Sequence, residues 1–303
     1  MSNHPTPVII EAALNGGTSP ASNPHVPQTS EELTGDGLGC LRAGAAVIHT
    51  HLPVYDLGPA EAAEHYLEHY EPMLEAFPDA LVYPTIVFQT DRIEERVGHL
   101  PILAKRCGLR IGLMEPGSGS FVPTSDGGLP EPRDSAYVNT PAEILYMSEL
   151  CEEHRLAPSM VIFEPGFLRH ALAYERAGRL PQGVFMRLTL CGGASYRGPE
   201  HVDLLCGMPN TKASLDVYLD MLGGSSASWA VSVVSGDVFE NDVARHALER
   251  GGHLRVGLED YAGPERPTNL ELVERAVALA REVGRPVASP AEAAALLRLP
   301  DIQ

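Results

Sequence analysis

Residues 44–59 read Gly44-Ala45-Ala46-Val47-Ile48-His49-Thr50-His51-Leu52-Pro53-Val54-Tyr55-Asp56-Leu57-Gly58-Pro59. The short β-branched run at 45–51 reads as a strand, and Pro59 opens a helical pattern that continues to 77 before the next such run at 80–86. The same unit recurs along the chain. Strands are expected at 8–14, 45–51, 80–86, 109–115, 159–163, 184–190, 229–234 and 253–258. Helix-like stretches lie at 30–43, 59–77, 91–106, 141–154, 165–179, 211–222, 239–250, 270–283 and 290–297. Proline marks helix starts at Pro59, Pro141 and Pro290, and glycine closes helices at Gly44, Gly108, Gly178, Gly251 and Gly284. Eight strands alternating with helices predict an α/β protein, a parallel (β/α)8 TIM barrel. The rival, an open doubly wound sheet, lacks a G-x-G-x-x-G after the first strand. Residues 1–303 carry no composition break or low-complexity linker, so one barrel domain is expected. Its longest irregular segment, 116–139, follows the fourth strand and is expected over the active end.

Composition narrows the partners. Lys and Arg total 22 against 40 Asp and Glu, a formal charge of -18. That surface repels phosphate backbones and anionic lipid, so neither nucleic acid nor membrane is an expected partner. An anionic substrate must then be caught by a local positive feature, such as a metal, an Arg or a helix N-terminus. No apolar run approaches ~20 residues, and Met1-Ser2-Asn3-His4-Pro5 lacks the features of a secretory signal. The 5 cysteines include no C-x-x-C pair, which predicts free thiols and a cytoplasmic location, with Cys40, Cys107, Cys151 and Cys206 as small buried hydrophobes.

The sharpest chemical signal is His49-Thr50-His51 at the end of the second strand. Side chains alternate across a strand, so both imidazoles face one way, at the end where barrel active sites are built. Two such rings can reach one metal ion. The eighth strand continues as Arg255-Val256-Gly257-Leu258-Glu259-Asp260. If strand parity holds, Arg255, Gly257 and Glu259 share a face. Closing the barrel brings Glu259 toward His49 and His51 across the first strand. Two His and one carboxylate leave open positions on a metal, the arrangement of a catalytic site. Zinc is the first expectation, although Mn, Fe(II) or Co would suit the same donors. Asp260, at the turn, is placed to act as a general base. Arg255 lies deeper and needs an acidic partner, for which Glu11 and Glu115 are the candidates.

Several segments resemble the β-keto acid cleavage enzyme family. They are Glu11-Ala12-Ala13-Leu14-Asn15-Gly16-Gly17, the entry to the first helix from Asn23-Pro24 through Val26-Pro27 and Thr29 to Glu31-Glu32, and the 43–51 strand. The most specific match is Gly251-Gly252-His253-Leu254-Arg255-Val256-Gly257-Leu258-Glu259-Asp260, and Gly284-Arg285-Pro286-Val287-Ala288-Ser289-Pro290 with Glu292-Ala293 completes the series. The resemblance implies a zinc-dependent barrel that condenses a β-keto acid with acetyl-CoA to give acetoacetate and an acyl-CoA. It also implies His49, His51 and Glu259 as metal ligands, Asp260 as general base with Arg255 as its partner, and Thr85 as the small hydroxyl residue ending the third strand. In such enzymes the metal holds the keto acid through its carbonyl and carboxylate oxygens, and a retro-Claisen cleavage follows attack on the acetyl thioester. A homo-oligomer, dimer or tetramer, is expected on the same ground.

The chain also departs from the family pattern. Leu52-Pro53-Val54-Tyr55 follows the His pair where an Arg or Pro and then an acid are common. Ser159-Met160-Val161-Ile162-Phe163 lacks the type member's acidic residues, and Thr18 replaces its Glu that contacts an amino-bearing substrate. A cationic amino tail is thus not the expected substrate group, unless Glu11 or Glu115 compensates. Asn15, Glu11 and Glu115 are candidate substrate contacts by their strand-end positions. Gly192 and Gly193, in Cys191-Gly192-Gly193-Ala194-Ser195, offer N–H groups to a carboxylate or a CoA phosphate. Arg187 and Thr189 share a face of the sixth strand, as core filling or as an anion contact. Other metal barrels, of the class II aldolase or amidohydrolase kind, are the alternatives. Amidohydrolases carry His-x-His on the first strand, with further His on the fifth and sixth, and those two strands have none here.

Overall fold

The computed structural model describes residues 5–53, 57–87, 90–124, 129–132, 136–194 and 204–301. Ser195 of the glycine turn, Val54 and Tyr55, and parts of the 116–139 segment lie outside these residues. Eight parallel strands form the frame: β1 (Ile10–Ala13), β2 (Val47–Thr50), β3 (Leu81–Pro84), β4 (Ile111–Leu113), β5 (Ala157–Ile162), β6 (Phe185–Cys191), β7 (Ser228–Val234) and β8 (His253–Val256). They pair in the order β3-β2-β1-β8-β7-β6-β5-β4. The β1–β8 ladder, with Glu11 opposite Arg255 and Ala12 opposite Val256, joins the ends of the chain and bends the sheet into a near-closed barrel. β3 and β4 lie side by side across the remaining seam, with no ladder between them among the described residues.

The helices are α1 (Ser30–Ala43), α2 (Pro59–Ala76), α3 (Ile93–Val97), α4 (His99–Cys107), α5 (Pro141–Glu153), α6 (Pro165–Arg176), α7 (Lys212–Leu222), α8 (Val243–Glu249), α9 (Asn269–Glu282) and α10 (Pro290–Leu297). Their starts follow from local chemistry. Thr29 with Glu32, Thr140 with Glu143, Thr268 with Glu271 and Ser289 with Glu292 form reciprocal capping boxes that satisfy the first free N–H groups. The stretch expected as one helix at 91–106 is two, α3 and α4, meeting at Gly98. The 239–250 stretch begins as a 3-10 turn, Glu240–Asp242, because Asn241 and Asp242 take positive φ before α8 starts. Among the described residues, no helix is long and apolar enough to cross a membrane.

The outward faces of the strands pack apolar side chains such as Ile10, Ile48 and Leu254 beneath the helices. The interior is different. Glu11, Tyr83, Ser159, Arg187 and Arg255 are buried there, so the barrel axis carries a polar network instead of layers of aliphatic residues. Above it, the long loop after β4 does not stand alone. Its Val122–Pro123 pairs antiparallel with Leu204–Leu205 from the loop after β6, and Met208–Pro209 pairs with the end of β6. All 5 cysteines are free, and Cys206 is half-buried with its thiol donating to Cys191 Sγ at 2.9 Å.

Candidate functional site

Strand alternation places His49 as the sequence predicts. Thr50 points away into the helix layer, where its hydroxyl meets His69 Nε2 at 3.0 Å and Tyr70 Oη at 2.9 Å. His49 and His51 therefore turn inward, with ring centroids 5.1 Å apart. His49 Nδ1 donates to the Tyr83 carbonyl at 3.1 Å, and its ring stacks on Tyr83 at 4.3 Å. His51 lies just beyond the strand and is held by Asn15. The Asn15 amide accepts from the His51 N–H at 2.8 Å and donates to the His51 carbonyl at 2.9 Å.

Glu259 arrives by a different route from the one strand parity suggests. β8 ends at Val256, and Gly257 has φ +137. A Cβ there would lie 2.0 Å from the Ala13 carbonyl oxygen, so only glycine allows the chain to turn this close to β1. The N–H groups of Asp260 and Tyr261 both donate to the Gly257 carbonyl, at 3.3 and 3.0 Å. This helical turn aims the adjacent Glu259 and Asp260 at the same guanidinium. Glu259 is further seated over Gly16 (φ +53), where a Cβ would fall 2.2 Å from Glu259 Cγ.

The three predicted ligands meet. His49 Nε2 is 3.3 Å from Glu259 Oε2, and His51 Nε2 is 3.3 Å from Glu259 Oε1. One donor atom from each lies within 4.8 Å of the others. The donor set fits a divalent cation. Because a carbonyl only accepts, the His49 proton sits on Nδ1, and burial pushes this imidazole well below its ordinary pKa, so Nε2 presents a lone pair. It faces Glu259 Oε2, a buried oxygen with no hydrogen-bond partner. Two lone pairs in contact call for a cation between them.

Arg255 organises the acids. Its Nε donates to Asp260 Oδ2 at 2.7 Å, Nη1 to Glu11 Oε1 at 2.6 Å, and Nη2 lies 2.7 Å from Glu259 Oε1. Burial works against the Glu259 charge, but Arg255, His51 and His49 together hold its carboxyl well below the carboxylate range. Burial raises the Asp260 carboxyl, an effect that Arg255 opposes and the Glu259 charge reinforces. Beneath them, Tyr83 donates to Glu11, and Arg187 Nη1 donates to both Tyr83 Oη and Ser159 Oγ. Burial raises the Tyr83 phenol far above its ordinary value, which keeps it a neutral donor.

These groups open into a cavity of about 490 Å³. His49, His51, Thr85, Glu115, Arg255, Glu259 and Asp260 line it. Glu115 is hydrogen-bonded to Tyr137, and burial raises its carboxyl while Arg187 counters. The other candidate substrate contacts have different occupations. Asn15 has both ends of its amide on the His51 backbone, and Glu11 is fully buried under Arg255 and Tyr83; neither lines the cavity. Gly192 N–H donates to the Val234 carbonyl at 2.9 Å, and Gly193 carbonyl accepts from Leu204 N–H at 2.8 Å; these glycines are not in the lining either. Thr18 is buried, with its hydroxyl donating to the Leu258 carbonyl. Sequence reading left out Tyr83, although β3 pairs it with His49 and parity sends both inward. It also left out Phe121, Tyr137 and Phe163, which lie in or beside irregular segments with no periodic signal.

Comparison with known proteins agrees with the fold and extends the chemistry. The sequence profile described as beta-keto acid cleavage enzyme matches residues 7–299. The 3-keto-5-aminohexanoate cleavage enzyme of Acetoanaerobium sticklandii is 30% identical over 300 residues, covering 96% of this chain and 97% of its own. The 3-oxoadipate:acetyl-CoA acetyltransferase of Cupriavidus necator is 26% identical, covering 98% and 96%. Among solved structures, the binary complex of ObcA with oxaloacetate superposes with a TM-score of 0.68 at 17% identity, over 92% of this chain and 68% of that one.

Proposed function

The chain belongs to the β-keto acid cleavage enzyme family, and we propose that it condenses a β-keto acid with acetyl-CoA, giving acetoacetate and the CoA thioester of the remaining acyl fragment. The observation that carries this reading is the meeting of His49, His51 and Glu259 at one end of the cavity, with Asp260 beside them on Arg255. The acetyl-CoA requirement is supported by the relative named as an acetyl-CoA acetyltransferase.

His49, His51 and Glu259 would hold the divalent ion, zinc by its affinity for two imidazoles and a carboxylate. When bound, the ion would supply Lewis acidity toward the keto acid oxygens and positive charge beside that of Arg255 and Arg187. Asp260 is the general base. It takes a proton from C2 of the keto acid, between the ketone and the carboxylate. The resulting carbanion attacks the acetyl carbonyl, a C–C bond forms, and CoA leaves as thiolate. That thiolate adds to the C3 ketone, the C2–C3 bond breaks, and the acyl group stays on CoA. The acetoacetate carbanion regains its proton from Asp260. Arg255 orients Asp260 and favours its charged form before the proton is taken and after it is returned. Thr85, on the cavity wall, offers a hydroxyl to the acyl oxygen. The ribbon of Val122–Pro123 and Leu204–Leu205 stands beside the mouth, and its Leu204 is part of the cavity lining.

The enzyme is assigned to the cytoplasm, as a symmetric dimer or tetramer whose mass light scattering would read. The deciding assay incubates purified protein with a panel of β-keto acids and acetyl-CoA and measures acetoacetate. Acetoacetate is expected only when acetyl-CoA is present. Cleavage of the keto acid without acetyl-CoA would identify an aldolase-type lyase and overturn the proposal.

A further inference from the structure

The cavity has two unlike ends, and strand order separates them. β2 and β8 flank β1, so the imidazoles and carboxylates stand on the β1 side of the ring. β5 lies four strands from β1 in either direction round the ring. From that far side come Leu113 of β4 and Val161 of β5, with Phe163 just beyond the end of β5. Phe121 and Leu204, from the two paired loops, close over them. The Phe121 and Phe163 rings meet edge to face at 4.6 Å, which makes a continuous aromatic and aliphatic wall.

Two charged side chains share this half of the cavity; Arg187 is engaged, while Glu115 keeps one oxygen, Oε2, buried within the wall without a hydrogen-bond partner among the described residues. Arg187 is buried, with Nη1 donating to Tyr83 and Ser159 and lying 3.6 Å from Glu11. Glu115 is buried against Tyr137, with Arg187 as the foremost cation acting on it. Among the described residues, no further charged group lines the far wall.

Resting on the reaction assigned above, we propose that the β-keto acid of this chain carries an uncharged, apolar acyl tail, which packs against the Leu113, Val161, Phe163 and Phe121 wall opposite the metal ligands. The keto and carboxylate oxygens belong at the polar end, where the cationic and metal-binding groups are. A CoA chain is too long for about 490 Å³ and must enter through the mouth. The far wall is then left to the tail. A carboxylate placed there would lose its hydration without gaining a free cation, and an ammonium would reach the one unpaired acceptor, Glu115 Oε2, only by opening the wall in which that oxygen is buried. A methylene placed there gains about fourfold in binding, the equivalent of ~0.8 kcal/mol.

The test measures kcat/KM with saturating acetyl-CoA for 3-oxopentanoate, 3-oxohexanoate, 3-oxooctanoate, 5-amino-3-oxohexanoate and 3-oxoadipate. The apolar acids should rise with chain length by about fourfold per methylene until the wall is filled. They should exceed the two charged acids by on the order of 10²-fold. Phe163→Ser should lower kcat/KM for 3-oxooctanoate by on the order of tenfold more than for 3-oxopentanoate. Val161→Thr, nearly isosteric and thus gentle on folding, should shift the same ratio in the same direction. A charged acid as the best substrate, or rates indifferent to tail length, would overturn the tail assignment while leaving the reaction intact. Absence of acetoacetate from every acid would instead overturn the reaction, and the tail assignment with it.

Discussion

Replacing Asn15 with Ala should loosen a metal ligand that Asn15 never touches through its ring. Asn15 is buried and spends both ends of its amide on the His51 backbone, at 2.8 and 2.9 Å. Each hydrogen bond contributes about 1 kcal/mol net, and an N–H or carbonyl left unpaired in a half-buried site adds to the loss, so global stability should fall by about 2–4 kcal/mol. The more telling effect is local. Groups that orient a metal ligand without binding the ion typically change metal affinity by about 10–100-fold, or roughly 1.4–2.8 kcal/mol. A chromophoric chelator competing for zinc reads the affinity, and urea unfolding of the chelated protein reads the stability. Asn15→Asp is the informative partner. It keeps an acceptor for the His51 N–H but sets a carboxylate oxygen against the His51 carbonyl, where the amide N–H now donates. It should therefore lose at least as much zinc affinity as Asn15→Ala at neutral pH, and its deficit relative to the parent at the same pH should narrow as pH falls and the new acid is protonated. Zinc affinity within twofold of the parent in both variants would refute the assignment of Asn15 as a positioning residue.

Further outcomes follow from the same geometry. Asp260→Asn should retain the metal and lower turnover by about 10²–10⁴-fold, the cost of losing a general base; near-parental turnover in a steady-state assay would reject that role. Gly16→Ala places a Cβ 2.2 Å from Glu259 Cγ at a φ of +53, so it should displace Glu259 and abolish stoichiometric metal binding, with circular dichroism showing the barrel still folded. His253 is buried, and burial pushes its imidazole from 6.5 down to about 3 while neutral Nδ1 accepts the Ile9 N–H at 3.0 Å. The unfolded chain therefore binds a proton that the native state refuses. The resulting stabilisation is complete above about pH 6.5 and is lost as pH falls toward about 3, by on the order of 4 kcal/mol. Urea unfolding at stepped pH should show this slope, flatter in His253→Asn, and equal slopes would discount the histidine.

The fold was legible because the barrel repeats one pattern eight times, with proline at several helix starts and glycine at helix ends. Where sequence and structure differ, short-range pattern gave way to a tertiary constraint. The 91–106 helix divides at Gly98, and the loop after β4 acquires a two-residue strand only because Leu204–Leu205 is there to pair with it. The ligand set was legible from His-x-His and from the β8–β1–β2 adjacency. Glu259 nonetheless comes into place through a turn at Gly257 and not through strand alternation, which explains how Glu259 and Asp260, adjacent in sequence, both reach Arg255. Asn15 and Glu11 are strand-end or strand residues with the parity of substrate contacts. Nothing in the sequence distinguishes facing the cavity from facing a neighbouring backbone or a buried guanidinium. Gly192 and Gly193 illustrate the same point, since a glycine turn looks alike whether its backbone groups face a ligand or a neighbouring strand. The apolar wall was illegible for a related reason. Phe121 and Phe163 lie 42 positions apart, and only the pairing of loops above the barrel makes them neighbours.

Elemental analysis of the protein as purified, beside His49→Ala and Glu259→Gln prepared identically, decides whether the metal centre exists. About one equivalent of a divalent ion per parental chain, falling to background in both variants while their circular dichroism is unchanged, is the predicted result. A parental protein without a stoichiometric ion, or variants that retain it in full, would contradict the metal centre on which the chemistry depends.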